Sequence, residues 1–231
     1  MCAYPVIGSL NGITDGQWLK YARQIEAAGA DAVELNMYYL ATDPQVSGAQ
    51  LEQQMLNTVR AVRHSVKIPV AVKLSPFFTS LTHFARDLDE IGVDGLVIFN
   101  RFYQPDIDVE ELEVVRVNLS DPAELHLRVR WLAILSGQIK TSLAVSGGVH
   151  SGIDAIKSVM AGAAAVQMVS ALLEHGPEYL STVREQMADW LEAHEYDDLE
   201  QLKGSMNLSN CPNPAAYERA NYMQILQSWE V

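Results

Sequence analysis

The sequence predicts an α/β fold, a parallel (β/α)8 TIM barrel of which about six β/α units are present. Short apolar runs alternate with amphipathic segments along the whole chain. The turns before three of these runs repeat one glycine motif, and polar residues stand where most of the runs end. Strict alternation with short connections is typical of parallel strands joined by right-handed crossovers. In a barrel, the carboxyl ends of all strands meet at one mouth.

Each element follows from its residue pattern. The predicted strands are apolar on nearly consecutive positions, as expected when both faces of a sheet are covered. The predicted helices carry apolar side chains at every third or fourth position. The strands are residues 6–9, 31–36, 69–74, 95–100, 142–146 and 164–169. The helices are residues 15–28, 51–62, 81–91, 122–139, 153–160, 179–193 and 215–229, with a short piece near Leu199.

An internal repeat supports this assignment. Residues 28–31 contain Gly29 and lead into the strand that ends at Asn36, and residues 91–94 contain Gly92 and lead into the strand that ends at Asn100. A third copy of the turn contains Gly162. Each glycine is expected to end a helix in the left-handed conformation, which a Cβ disfavours.

A barrel is favoured over an open, doubly wound sheet. Such a sheet usually carries a glycine-rich turn after its first strand, and residues 9–12 contain only one glycine. Closure of a barrel needs eight strands, so six strands predict a barrel truncated on its amino-terminal side. We therefore expect one partial barrel domain over residues 1–231, with residues 176–231 as its C-terminal helical extension.

Composition argues against several classes of protein. The chain has 231 residues, of which 48% are hydrophobic, and a formal net charge of −13. This suffices for one well-buried domain, and the acidity argues against nucleic acid, whose phosphates need a cationic surface. With only Cys2 and Cys211, neither a disulfide framework nor a metal site is expected. No apolar run approaches the roughly 20 residues that cross a bilayer, so a cytoplasmic protein is expected.

Gly147 and Gly148 give the clearest chemical signal. They follow a predicted strand and precede a predicted helix start at Ser151. Successive backbone N–H groups without side chains, beside a helix N-terminus, form an anion site. The last two strands of a barrel commonly hold phosphate, and Ser170 and Ala171 follow the last predicted strand. A tight turn without a ligand is the alternative, and the placement favours phosphate.

Three more polar side chains stand near strand ends. Lys73 lies in an otherwise apolar strand, where a charge is costly to bury unless it is paired. It either extends to the rim or serves a ligand. Asn36 and Asn100 either cap loops or present amide donors and acceptors to a planar ligand.

Several segments, in order, resemble the dihydroorotate dehydrogenase family, most closely its class 1 and dihydroorotate dehydrogenase-like members. The matching segments are residues 5–12 (PVIGSLNG), 30–36 (ADAVELN), 68–76 (IPVAVKLSP), 146–150 (SGGVH) and 161–172 (AGAAAVQMVSAL). The resemblance implies an FMN flavoprotein oxidoreductase of pyrimidine metabolism. It places the FMN phosphate at the Gly147–Gly148 turn and at Ser170–Ala171, and Lys73 beside the flavin ring. It also places Asn36 and Asn100 among the residues that bind a pyrimidine.

The segment after Asn36 departs from the family's pattern. Class 1 members carry a cysteine base three residues after this asparagine, and Tyr39 stands there in this chain. A tyrosine titrates near ~10 and is a weak base at neutral pH unless activated. Tyr39 is therefore a candidate acid or base for a different reduction, or the activity is lost.

Arg101 follows Asn100 and begins a long connection that ends near Pro122. Arg101 can bind a substrate carboxylate in a bidentate mode, or it can form a surface ion pair with Asp106 or Asp108. A connection of this length favours a lid or a subunit contact.

Together these patterns predict an FMN-dependent oxidoreductase that transfers hydride between a small, planar, pyrimidine-like substrate and flavin. One alternative is a non-redox, phosphate-binding isomerase or lyase that uses Lys73 as a base or Schiff-base former. Another is an inactive, truncated family member whose exposed sheet edges favour self-assembly. The expected partner is a small molecule, and a homodimer is also expected.

Overall fold

A computed structural model of the chain describes residues 4–11, 15–101, 104–116, 119–218 and 227. The main sheet has six strands, all pairing in parallel, in the order β1-β2-β3-β4-β7-β8. These strands are β1 (Ile7–Leu10), β2 (Ala32–Met37), β3 (Val70–Leu74), β4 (Gly95–Ile98), β7 (Ser142–Ser146) and β8 (Ala165–Gln167). The six predicted parallel strands are confirmed.

Helices connect the strands and cover one face of the sheet. They are α1 (Asp15–Ala27), α2 (Gly48–Ser65), α3 (Leu81–Ile91), α4 (Leu125–Leu135), α5 (Gly152–Ala161), α6 (Ser170–His175), α7 (Tyr179–Ala193), α8 (Leu199–Leu202) and α9 (Ala215–Glu218). A 3₁₀ turn over Pro122–Glu124 precedes α4. The predicted helix 215–229 is described only as far as Glu218 and at residue 227, so the rest of it lies outside the described residues. Within the described ranges, no helix is both long enough and apolar enough to span a bilayer.

The repeated glycine turns are confirmed. Gly29, Gly92 and Gly162 follow α1, α3 and α5 with φ values of 88°, 82° and 119°. Gly92 donates its backbone N–H to the carbonyls of Leu88 and Asp89, which ends α3. A side chain with a Cβ rarely adopts this conformation, so these positions determine where each helix turns back toward the sheet.

The two faces of the sheet differ in chemistry. On β2, Val33 and Leu35 face the helices and are fully buried. Because side chains alternate along a strand, Glu34 and Asn36 point to the opposite, concave face, which we call the lumen. Lys73 on β3 lies on the same face, where its ammonium is 3.7 Å from Glu34 Oε1. The expectation of apolar residues on both faces is therefore wrong for the lumen, which carries polar side chains.

A contact across the lumen shows how strongly the sheet curls. Gln167 on β8 donates to Glu34 Oε2 on β2 at 2.7 Å, although three strands lie between β2 and β8 in the sheet order. In a flat sheet these strands would be roughly 19 Å apart at about 4.8 Å per strand. The described strands therefore form a curled, open part of a (β/α) barrel, with β1 and β8 at its edges.

The connection between β4 and α4 contains a hairpin that sequence analysis missed. Its strands are β5 (Pro105–Asp108) and β6 (Glu113–Arg116), which pair in antiparallel register. Ile107 and Val114 pair directly and are both exposed. Acidic residues alternate with apolar ones along residues 106–110, so this segment lacks the nearly continuous apolar run that marks the six strands of the main sheet. The predicted helix 122–139 is also shorter, because α4 ends at Leu135 and Gly137 has a φ of 85°.

Candidate functional site

A cavity of about 260 Å³ lies at the carboxyl ends of β3, β4, β7 and β8. This is the mouth where the sequence predicted that polar residues converge. Six of the predicted site residues line the cavity: Lys73, Asn100, Arg101, Gly147, Gly148 and Ser170. Ser120, Gln167 and Leu173 also line it, and sequence analysis did not single them out.

The turn after β7 is fixed by close packing against the start of α4. Gly147 and Gly148 have φ values of 86° and 79°. A Cβ on Gly147 would lie 2.7 Å from Arg128 Nη2, and a Cβ on Gly148 would overlap the backbone of Leu125. Glycine is therefore needed at both positions for conformation and for space.

Arg128 packs against Gly147 and hydrogen-bonds to the end of β7. Its Nε donates to the Ser146 carbonyl at 2.5 Å, and its Nη2 donates to Glu124 Oε2 at 3.2 Å. Burial lowers the pKa of the Arg128 guanidinium, and the Glu124 carboxylate opposes that shift. A buried charge with these partners holds the end of β7 in one position.

The start of α5 already has protein acceptors. Ser151 caps the helix by accepting from the Asp154 N–H, and the Gly152 N–H donates to Gln186 Oε1 at 2.7 Å. Asp154 also accepts from the His150 N–H at 3.1 Å. These N–H groups of the helix start are therefore taken up within the protein, whereas the Ser170 hydroxyl, which accepts from Ser120, keeps its own proton to donate.

Ser120 joins the turns after β7 and β8. Its N–H and its hydroxyl both donate to Ser170 Oγ, at 3.0 Å and 2.8 Å. The Gly148 N–H points to Ser120 Oγ at 3.4 Å, and His150 Nε2 lies 3.5 Å from the same oxygen. Ser120 lies in the long connection after β6, and no sequence pattern marks it.

Lys73 projects into the lumen rather than to the rim. Its ammonium donates to Gln167 Oε1 at 2.9 Å and lies 3.7 Å from Glu34 Oε1. Glu34 also accepts from Ser9 Oγ at 3.1 Å. Glu34 and Gln167, like Lys73, are polar residues in otherwise apolar strands, so the same sequence signal marks them.

A family model described as dihydroorotate dehydrogenase matches residues 2–191. The chain belongs to the dihydroorotate dehydrogenase family. It is 31% identical over 209 residues to a protein of Aeropyrum pernix named dihydroorotate dehydrogenase A (fumarate), covering 87% of this chain and 67% of that protein. It is 27% identical to the catalytic subunit of a dihydroorotate dehydrogenase B (NAD(+)) of Thermoplasma volcanium, with the same coverage. A dihydroorotate dehydrogenase A (fumarate) of Lacticaseibacillus paracasei is 29% identical over 72% of this chain and 60% of its own length.

This family member therefore spans about two thirds of the length of these relatives. The ordered segments that resemble the family, residues 5–172, lie inside the matched range. The family expected from the sequence is confirmed. The names of these relatives differ in the electron acceptor, which is fumarate for two of them and NAD(+) for the third.

The asparagines that the family resemblance singled out lie in different settings. Asn36 pairs in register with Lys73, and its Oδ1 is buried with no hydrogen-bond partner among the described residues. Asn100 lines the first cavity and also an adjoining one of about 460 Å³. Arg101 lines both cavities as well, and its Nε lies 3.4 Å from Glu124 Oε1. Its ion pair is thus with Glu124 rather than with an aspartate of the hairpin.

Asn36, Tyr39 and Ala171 are not among the residues that line these two cavities. Tyr39, which the family resemblance places at the position of the class 1 cysteine, follows β2 and is 53% exposed. Ala171 is fully buried in α6, so its side chain does not reach the cavity. The first cavity thus brings together Lys73 and the residues predicted to bind phosphate, Gly147, Gly148 and Ser170. Tyr39, the predicted acid or base, is not among its lining residues.

Proposed function

We propose that this chain binds FMN and acts as an oxidoreductase on a small, planar, pyrimidine-like substrate. The observation that carries the proposal is the cavity at the ends of β7 and β8, which is lined by Gly148, Ser170 and Lys73 together. Donors of this kind suit a phosphate at one end and an electron-rich ring system at the other.

The residues fit a ligand of this chemistry. The two cavities that meet at Asn100 and Arg101 have volumes of about 260 and 460 Å³; the first is just below the roughly 300–1,000 Å³ of small-molecule sites, and the second is within that range. The buried Asn36 Oδ1 has no partner among the described residues. Such an acceptor is costly unless a donor reaches it, and a ring N–H of the ligand would supply one.

Each side chain has a distinct role in this proposal. The Gly147–Gly148 turn and Ser170 hold the phosphate, with Ala171 placing Ser170 at the start of α6. When bound, FMN supplies a ring that exchanges hydride with the substrate carbon. Lys73 stabilises negative charge on the reduced ring. Asn36 and Asn100 orient the substrate through amide hydrogen bonds, and Arg101 borders its entrance.

Tyr39 is proposed as the acid or base. It follows β2, whose carboxyl end opens at the same mouth, and its exposed side chain is accessible from solvent. The relatives' names specify dihydroorotate, whereas this chain has a phenol where class 1 members have a thiol. We therefore propose a related ring compound, rather than dihydroorotate itself, as the substrate.

The contacts of Lys73 disfavour the non-redox alternative. A Schiff-base lysine must present a free amine to a carbonyl carbon. The Lys73 nitrogen is instead held by Gln167 at 2.9 Å and faces Glu34. These contacts support a fixed cation and therefore the flavin role. We further propose one cytoplasmic domain over residues 1–231, including the helices after residue 176, and a homodimer.

An absorbance spectrum tests this proposal. The chain is mixed with FMN, desalted, and scanned. We expect a retained band near ~450 nm that is lost on anaerobic addition of a reducing substrate. A screen of dihydroorotate against dihydropyrimidines that lack its carboxylate then identifies the substrate class. Complete loss of FMN on desalting, with no spectral change during titration, would overturn the proposal.

A further inference from the structure

The amide of Gln167 forms a bridge between two charged side chains in the lumen. It accepts from Lys73 Nζ at 2.9 Å and donates to Glu34 Oε2 at 2.7 Å. Lys73 and Glu34 themselves are 3.7 Å apart, beyond the 2.7–2.9 Å typical of a direct charged hydrogen bond. The Gln167 amide therefore lies between the two charged groups and replaces a direct hydrogen bond between them.

Only one orientation of the Gln167 amide satisfies both neighbours. An ammonium has donors and no acceptor, whereas an ionised carboxylate has acceptors and no donor. The amide oxygen must therefore face Lys73, and the amide nitrogen must face Glu34. The bridge is directional, and no apolar side chain of the same size can replace it.

Burial strengthens these contacts and fixes the lysine. The side chains of Lys73 and Glu34 are 15% and 8% exposed. Charges this deep interact more strongly than at a surface, so without a spacer the flexible four-carbon stem of Lys73 would bring its ammonium onto the carboxylate. Lys73 and Gln167 line the cavity, whereas Glu34 is not among its lining residues.

We propose that Gln167 is a positioning residue that holds the Lys73 ammonium away from Glu34 and directed at the cavity. This inference rests on the proposed flavin site, because it assigns how the cation of that site is oriented. Without the bridge, Lys73 closes onto Glu34, its charge is neutralised locally, and it stabilises a reduced ring less well.

The test compares Gln167→Met, Glu34→Gln and the double variant, with the exposed Gln53→Met as a matched control. In the FMN-loaded protein we expect Gln167→Met to lower the flavin midpoint potential, in the same direction as Lys73→Met. Adding Glu34→Gln should raise the potential again, because no carboxylate remains for Lys73 to pair with. Glu34→Gln alone gives the baseline, so the inference requires Gln167→Met to lower the potential less in the Glu34→Gln background than in the unaltered chain. An equal lowering in both backgrounds would show a purely structural role.

A second readout needs no flavin. Acylation of Lys73 by an amine-reactive ester, followed by peptide mass spectrometry, should slow about tenfold in Gln167→Met, as expected for one added charge-assisted contact. It should recover in the double variant, and Gln53→Met should match the unaltered chain. Failure of the chain to bind FMN would refute the flavin site. The acylation rate of Lys73 would still test the role of Gln167, because it does not depend on flavin. Equal acylation rates in all folded variants would overturn the inference.

Discussion

The carboxyl ends of β7 and β8 and the carboxyl end of β2 open at the same mouth, yet they are built very differently. At the β7–β8 end, Gly148, Ser120 and Ser170 are tied together by hydrogen bonds and buried. At the β2 end, Asn36 Oδ1 has no partner among the described residues, and Tyr39 and Leu40 are more than half exposed. One end is held together by contacts within the protein, and the other has an acceptor with no such contact among the described residues.

This difference separates cofactor binding from chemistry. A preorganised anion site loses little entropy on binding, so the β7–β8 end should determine whether FMN is held. In the proposed function, the β2 end should determine what is oxidised or reduced, because Tyr39, the proposed acid or base, lies there. Substitutions at the two ends should therefore affect stability, cofactor affinity and turnover to different degrees.

The largest effect is expected from Arg128→Leu at the β7–β8 end. Removing this buried guanidinium leaves the Ser146 carbonyl and part of Glu124 without their partner, which should cost about 3–5 kcal/mol in the free energy of unfolding. Arg101→Leu removes a more exposed partner of the same Glu124 and should cost less than about 1 kcal/mol. Urea denaturation compares the two, and equal losses would show that Arg128 does not support the turn.

A smaller loss of unfolding free energy should distinguish the cost of close packing from the cost of a left-handed backbone conformation. Gly148→Ala and Gly29→Ala both place a Cβ at positive φ, which costs roughly 1–2 kcal/mol. Only at Gly148 would the Cβ overlap neighbouring backbone, since nothing lies within 4 Å at Gly29. Gly148→Ala should therefore lose about 1–3 kcal/mol more. Equal unfolding free energies for the two variants would contradict the packing described here.

Tyr39→Phe should leave stability and cofactor binding unchanged. The side chain is half exposed, so the change in unfolding free energy should stay within about 0.5 kcal/mol. If Tyr39 is the acid or base, turnover falls while the FMN dissociation constant stays the same. A weaker FMN affinity in this variant would show that the β2 end also holds the cofactor.

The smallest effect concerns the opposite end of the barrel and serves as a control. Partial burial raises the pKa of Asp89, but hydrogen bonds from Thr141 and the Lys140 N–H outweigh it and leave that pKa below its ordinary value. A depressed carboxyl pKa contributes stability that is present above about pH 4 and is lost as the pH falls through the folded-state value. Asp89→Asn should remove this part of the acid dependence in pH-dependent unfolding without changing FMN affinity. An unaltered acid profile would exclude Asp89 as its source.

The sequence predicted the fold well because its signals are local. Gly29, Gly92 and Gly162 mark helix ends through their own backbone conformation, and the apolar strands follow from burial between the helices and the lumen. The hairpin β5–β6 was missed because its stability comes from pairing rather than from an apolar face, as the exposed Ile107 and Val114 illustrate.

The site could be predicted only in part. Gly147 and Gly148 stand out as two consecutive glycines directly after a strand, and Lys73 stands out as a charged residue within an apolar strand. Ser120 carries no such signal, since it reaches Ser170 only through the path of a long connection. Contacts between residues as distant in sequence as Glu34 and Gln167 depend on how the sheet curls, and no local pattern encodes that curvature.

The most direct test of the account compares the dissociation constants of FMN and riboflavin, which differ by the phosphate. We expect FMN to bind about 100-fold more tightly than riboflavin, because the phosphate adds about two charge-assisted hydrogen bonds. Ser170→Ala should reduce that ratio about tenfold, and Tyr39→Phe should leave it unchanged. Equal affinities for FMN and riboflavin in the unaltered chain would contradict a phosphate site at the ends of β7 and β8.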